Sequence, residues 1–203
     1  MSQLFNNIKI FSSFWILLAC YFTIPIFIGP VDPANWVYLM DFEIPFIWWM
    51  IIPYYIYYII VLLPPLIWKD QWKIRNITSI LNVMTIFCYL IFIIWPIHTG
   101  PIINYFRDAI ESHPLKSLHY IIIYDEMLYQ NALPSMHVVV SSFLCLAYYH
   151  DFKSYRLFAI GVGISIFLST FLIKQHFILD SLSGILIAYI GFYYYKIKTK
   201  SCK

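Results

Sequence analysis

From Ile44 to Trp68 the chain carries no charged side chain, and this is one of several apolar runs of similar length. A transmembrane helix needs ~20 mostly apolar residues. Ile10 to Ile28 is a first such run, Ile44 to Trp68 a second, Ile77 to Ile97 a third and Leu133 to Tyr149 a fourth. The stretch from Leu157 to Tyr195 is too long for one helix, and Lys174, Gln175, His176 and Asp180 interrupt it, so it reads as two spans. The expected fold is all-α: a polytopic membrane protein with six transmembrane helices in one bundle. It forms a single membrane-embedded domain over residues 1–203. Pro45, Pro53, Pro64 and Pro65 make the second span irregular, which a membrane helix tolerates where neighbours satisfy the freed carbonyls.

Composition narrows the class further. Asp, Glu, Lys and Arg make up 11% of the chain, against roughly 25% in a soluble domain. So few charges cannot cover the surface of a water-soluble globule. The 21% aromatic content excludes a disordered chain. A net charge of +3, with no Lys/Arg cluster interleaved with aromatics, gives no basis for a nucleic acid partner. Cys20, Cys88 and Cys145 lie in apolar runs and Cys202 in the polar tail, without a CxxC or a metal-ligand spacing. Leu17-Leu18-Ala19-Cys20 loosely resembles a lipoprotein cleavage box. The apolar run continues through Ile28, so a retained helix is expected rather than a signal peptide.

The placement of Lys and Arg sets an orientation. With both termini cytoplasmic, one side holds Lys9, Lys69, Lys73, Arg75, Lys153, Arg156, Lys196, Lys198, Lys200 and Lys203. The other holds Arg107, Lys116 and Lys174. This asymmetry is a positive-inside signal. It puts segments 29–44, 98–132 and 173–177 on the outer side. The expected location is a bacterial inner (cytoplasmic) membrane, with the active site facing the periplasm or exterior.

Ionisable residues at membrane depth are costly and suggest function. One cluster is Asn131-Ala-Leu-Pro-Ser-Met-His137, at the start of the fourth span. Pro134 suits a first helical turn. Ser135 then offers a hydroxyl beside free backbone N–H groups, at a helix start that favours anions, with His137 close by. The second cluster is Ser169 to Asp180. His176 and Asp180 are spaced i, i+4 and share a helix face. A carboxylate beside a histidine fixes its tautomer and stabilises the imidazolium. A histidine so oriented can attack phosphorus, and Lys174 adds a positive charge nearby. The topology puts both clusters on one face, where one histidine can attack and the other protonate the departing oxygen. Phosphoryl transfer needs mainly positioning and charge stabilisation. The residues suggest neither a cofactor nor a metal, since no third or fourth ligand is spaced to help.

Pro134-Ser135-Met136-His137 resembles the Pro-Ser-Gly-His motif of the type 2 phosphatidic acid phosphatase superfamily. Ser169 through Asp180 resembles its third motif: Ser-Arg, five residues, His, three residues, Asp. The resemblance covers about residues 45–195, and the wording of both motifs looks most like the inositol phosphorylceramide synthase-like subgroup. It implies that His176 forms a phosphohistidine, that Asp180 orients it and that His137 is the general acid. It also implies that Ser135 and nearby backbone N–H groups bind phosphate oxygens. The chain departs from the pattern in two places. The third-motif Arg is Thr170, with Lys174 a candidate for the missing charge. The first motif, which ends in Arg-Pro, is absent; Gly100-Pro101 stands in its place, with Arg107 and His98 as candidate replacements. Asp125 is a candidate brace for the loop before Asn131. His113, His119, His150, the Tyr-rich stretch 54–58 and Trp48-Trp49 read as interfacial or packing residues.

Three functions fit these residues. The first is a metal-independent phosphatase acting on a lipid phosphate ester or diphosphate at the non-cytoplasmic face. The second is a transferase that moves a phospho-headgroup to another alcohol. The third is an inactive binding or scaffold protein with a decayed site. The expected partners are a lipid phosphate and the bilayer.

Overall fold

The computed structural model describes residues 3–123 and 130–201, so Asp125, Cys202 and Lys203 lie outside the described residues. Among those described, helices joined by turns make up the fold, with one isolated bridge between Val31 and Ile97. Helix α1 (Gln3–Ala19) passes through a tighter turn at Cys20–Thr23 into α2 (Ile24–Phe27). The next connector holds the short α3 (Asn35–Tyr38) and a 3-10 turn at Leu39–Phe42. Helix α4 (Ile51–Leu62) gives way to α5 (Pro64–Ile67) at a proline pair, whose two missing N–H donors suit a first turn. Helix α6 (Gln71–Ile94) is capped by Asp70, whose carboxylate accepts from the Trp72 N–H at 2.8 Å. It stops before Pro96, which disfavours helix at its own N-terminal side.

A long connector follows, built of α7 (Gly100–Tyr105), α8 (Arg107–Ser112) and α9 (Lys116–Ile123). Helices α10 (Met136–Asp151), α11 (Arg156–Leu172) and α12 (Ile178–Ser201) complete the bundle.

Among the described residues, four helical stretches are long and apolar enough to cross a membrane: Gln3–Phe27, Gln71–Ile94, Lys153–Leu172 and Ile178–Lys200. The chain is an integral membrane protein. The two other stretches expected to span are shorter. One is the helical segment Trp48–Leu62, cut off by the proline pair. The other is α10, whose 16 residues rise about 24 Å, less than the ~30 Å hydrocarbon core. The break between the last two helices, which no Gly or Pro marks in the sequence, falls at residues 173–177.

Helix α10 is the axis of the bundle. It packs against α4, α6, α11 and α12, and Val138, Val139, Val140, Phe143, Leu144 and Ala147 are buried along it. The outer helices instead turn apolar side chains outward, Leu157 at 86% exposure and Ile94 at 80%. Such faces are a liability in water and ordinary in lipid. Helix α12 approaches the start of α10 closely at Gly184, where a Cβ would meet the Ser135 carbonyl oxygen and Val138 Cβ at 3.0 Å.

Three connectors meet at one end of the bundle. The Val31 N–H donates to the Pro96 carbonyl at 2.9 Å, Ala132 N–H to Ile97 at 3.1 Å and Ile47 N–H to Leu172 at 3.0 Å. The opposite end is pinned by Asp151. Its carboxylate accepts from Trp68 Nε1 and Tyr195 OH, each at 2.7 Å, and pairs with Lys73 at 3.1 Å and His150 at 2.9 Å.

Candidate active site

The two polar clusters of the sequence come together where the connectors meet. Ser135 ends the incoming chain as the N-cap of α10, its Oγ accepting from the Val138 N–H at 3.4 Å. Its own N–H donates to the Asp180 carbonyl at 3.1 Å, which fastens the start of α10 to the first turn of α12. Asp180 Oδ2 accepts from the Phe177 N–H at 2.9 Å, as an acidic residue in the first turn does in half of a capping box. The turn is closed by Thr170, whose carbonyl accepts from Gln175 N–H at 3.1 Å and His176 N–H at 3.0 Å.

His176 is oriented by two acceptors. Its Nδ1 lies 3.1 Å from the Ala132 carbonyl and 3.6 Å from Asp180 Oδ2. A carbonyl oxygen only accepts, so Nδ1 carries the proton and, in the neutral ring, Nε2 keeps its lone pair. His137 stands opposite, with ring centroids 5.9 Å apart. Its ring lies between those of Tyr54, 4.4 Å away and stacked, and Tyr57, 4.2 Å away. Tyr54 OH is 3.4 Å from His137 Nδ1, while the buried Nε2 has no partner among the described residues.

Both rings line a cavity of ≈ 410 Å³ with Tyr21, Tyr54, Tyr57, Tyr58, Gln130 and Gln175, and its outer wall is apolar residues of α1 such as Trp15 and Leu18. An oriented His176, paired with Asp180, and a second histidine thus share an apolar cleft. Among the described residues no cluster of three or more His, Cys, Asp and Glu could hold a metal ion.

A profile of the PAP2 superfamily matches residues 30–194. The chain belongs to the PAP2 superfamily. Comparison with curated proteins and with solved structures returns no match. PAP2 membership fits a phosphatase-type or phosphotransferase enzyme acting on lipid phosphate.

Of the residues singled out in the sequence, the structure brings His137, His176, Asp180 and Ser135 together. The other PAP2 candidates have different neighbours. Lys174 is fully buried, and its ammonium donates to the carbonyls of Ile44 at 2.6 Å and Asp41 at 3.1 Å, over the Phe106 ring at 4.2 Å. Burial pushes its pKa down to about 8, against the upward pull of Asp41. Thr170 Oγ1 donates to the Phe167 carbonyl at 2.7 Å and meets Ser181 Oγ at 2.8 Å, joining α11 to α12. Arg107 is exposed and donates to Asn104 Oδ1 at 2.6 Å. His98 pairs with Asp32 at 3.0 Å. No Lys or Arg lines the cleft among the described residues.

Two features of the PAP2 site go beyond the sequence reading. Of the two roles read for the Tyr-rich stretch, Tyr54 and Tyr57 take packing. They are buried and flank His137; their i, i+3 spacing on α4 was the signal that they share a face. Asp41 is also fully buried, with Oδ1 accepting from the Ile178 N–H at 2.9 Å. Burial, aided by the nearby Asp180, lifts its carboxyl to about 6 against the downward pull of the Ile178 N–H and Lys174. Nothing in the local sequence pairs position 41 with position 178.

Proposed function

We propose that this PAP2 protein is a lipid phosphatase working through a phosphohistidine on His176. The observation that carries this reading is the hydrogen bond from His176 Nδ1 to the Ala132 carbonyl, which commits the proton to one nitrogen and leaves the other as a nucleophile. The Nε2 lone pair attacks phosphorus as the bond from phosphorus to the lipid alcohol breaks. His137, taking up a proton as the anionic phosphate binds, gives it to the departing oxygen. Asp180 stabilises the positive charge on His176. Neutral His137 then takes a proton from water, the hydroxide attacks phosphorus, and the P–N bond breaks to restore His176 and release phosphate. The Ser135 hydroxyl and the first N–H groups of α10 are the proposed contacts for phosphate oxygens. No step in this sequence calls for a metal.

The same reading takes all six hydrophobic helices as spans, with both termini cytoplasmic and the cleft on the outer side. The basic residues support it: Lys69, Lys73, Arg75, Lys153 and Arg156 all flank the end opposite the cleft. The test is phosphate release by purified protein from phosphatidate, phosphatidylglycerophosphate and undecaprenyl diphosphate. Release should survive EDTA, stop with vanadate and vanish in His176→Ala. Retained activity in that variant overturns the assignment.

A second reading, transfer of a phospho-headgroup to another alcohol, is favoured by the cation-poor cleft. A phosphodiester carries one negative charge and needs less neutralisation than the dianion of a monoester. Labelled headgroup appearing in a new lipid, instead of free phosphate, decides for transfer.

A further inference from the structure

We propose that Asp41 and Lys174 are positioning residues for His176, acting as a reciprocal clamp between the first outer connector and the catalytic turn. The proposal rests on the reading of His176 as the nucleophile. Lys174 lies two residues before His176 and Ile178 two residues after it, and both are tied to the segment 41–44. On one side, the Lys174 ammonium donates to the carbonyls of Asp41 and Ile44. On the other, the Asp41 carboxylate accepts from the Ile178 N–H, the first of α12. A second N–H at this helix start, that of Phe177, is taken by Asp180. A turn held at both ends and capped by two carboxylates keeps the His176 ring between Ala132 and Asp180.

Two observations separate this from ordinary loop packing. Lys174 sits at φ 66, a left-handed conformation that a residue with a Cβ adopts at a cost unless surroundings compensate. Both charged side chains are fully buried, and burying a charge is tolerated only where its hydrogen bonds are supplied. The aliphatic stem and ammonium of Lys174 are spent on a remote backbone segment and the Phe106 ring, which makes this lysine a strut for the nucleophile. Asp41 has no counterpart in either histidine motif.

The experiment combines kinetics with the tautomer of His176 read by ¹⁵N NMR of histidine-labelled protein, the signal assigned with His176→Gln. Asp41→Ala and Lys174→Met should each lower kcat on the order of 10- to 100-fold with KM within about twofold, as for misplacement of a catalytic group. The double variant should lose little more than either single one, because both remove the same clamp. Asp41→Asn, which keeps an oxygen for Ile178, should recover most of the rate. In the clamp-broken variants His176 should shift from a single Nδ1–H form to a mixture. A rise in KM in Lys174→Met with kcat unchanged overturns the proposal, because it marks direct phosphate contact. So does a double variant whose losses multiply, or a His176 signal unmoved in Asp41→Ala. If Asp41→Ala does not fold, Lys174→Met and Asp41→Asn carry the same comparison. The NMR signal needs no substrate, so it tests the clamp even if every lipid tried proves inert.

Discussion

His137 and His176 face each other with ring centroids 5.9 Å apart, although one is on α10 and the other in the turn before α12. In the mechanism proposed above the two rings have opposite tasks. The two histidines should therefore respond differently to the leaving group. His137→Ala should cost on the order of 10²–10⁴ in kcat on a lipid alkyl phosphate, the usual worth of a general acid. It should cost far less on a nitrophenyl phosphate, whose departing oxygen needs no proton. His176→Ala should abolish turnover of both. Steady-state rates on the paired substrates check this.

Asp180 holds both a ring and a backbone N–H, and the two can be separated. Asp180→Asn keeps an oxygen for the Phe177 N–H but removes the carboxylate charge beside His176, to which the proposed mechanism assigns stabilisation of the imidazolium. The expected loss is on the order of 10²–10⁴ in kcat, by analogy with the carboxylate of a Ser-His-Asp triad. The melting temperature should move little. Asp180→Ala should lower both, and a thermal melt beside the assay distinguishes them.

Stability should fall in mild acid because of His119. Its Nε2 donates to the Ile173 carbonyl at 2.9 Å, and its ring packs on Phe46 at 5.5 Å and His113 at 5.3 Å. Burial lowers its pKa to about 4, with His113 adding in the same direction. The unfolded chain binds a proton below about 6.5 and the folded protein does not, so stability is lost as the pH drops from about 6.5 to about 4. The loss is about 3 kcal/mol at most, since each pKa unit is worth 1.36 kcal/mol. Between pH 7.5 and 5, melting curves in detergent should shift toward lower stability more for the native chain than for His119→Gln, in which Asp41 and His113 still titrate.

Asp151 should matter to stability and not to chemistry. It gathers Trp68, Lys73, His150 and Tyr195, and its side chain is only 4% exposed. Removing one partner of a buried charged network costs roughly 3–5 kcal/mol. Asp151→Ala should lower the denaturation midpoint sharply. The kcat of the folded fraction should stay unchanged, because the axis of α10 puts about 21 Å between positions 137 and 151.

The parts of the site carried by local spacing were legible in the sequence. Ser135 and His137 belong to one helix start, and His176 and Asp180 to the next, so short-range geometry made each pair visible. Their meeting followed from topology alone. Lys174 and Thr170 show where local reading stops. Each lies near His176 in sequence, but one side chain turns to Asp41 and Ile44 and the other to Ser181. Proximity along the chain does not fix which way a buried side chain points. The tyrosines beside His137 were hidden for another reason: in lipid, aromatic residues are as common at interfaces as in cores. The helix count was affected by length. The second hydrophobic run is divided by its prolines, and the motif at the start of α10 leaves a helix shorter than its apolar run suggests.

Asp41 and Ile44 precede the region that carries both histidine motifs, yet they supply the acceptors for Lys174 and a cap for Ile178. The motifs are therefore not a portable unit. A chain cut at residue 45, or a graft of residues 131–137 and 169–180 onto another bundle, would keep every recognisable letter. It would lose the oxygen atoms that Lys174 and Ile178, on either side of His176, bind.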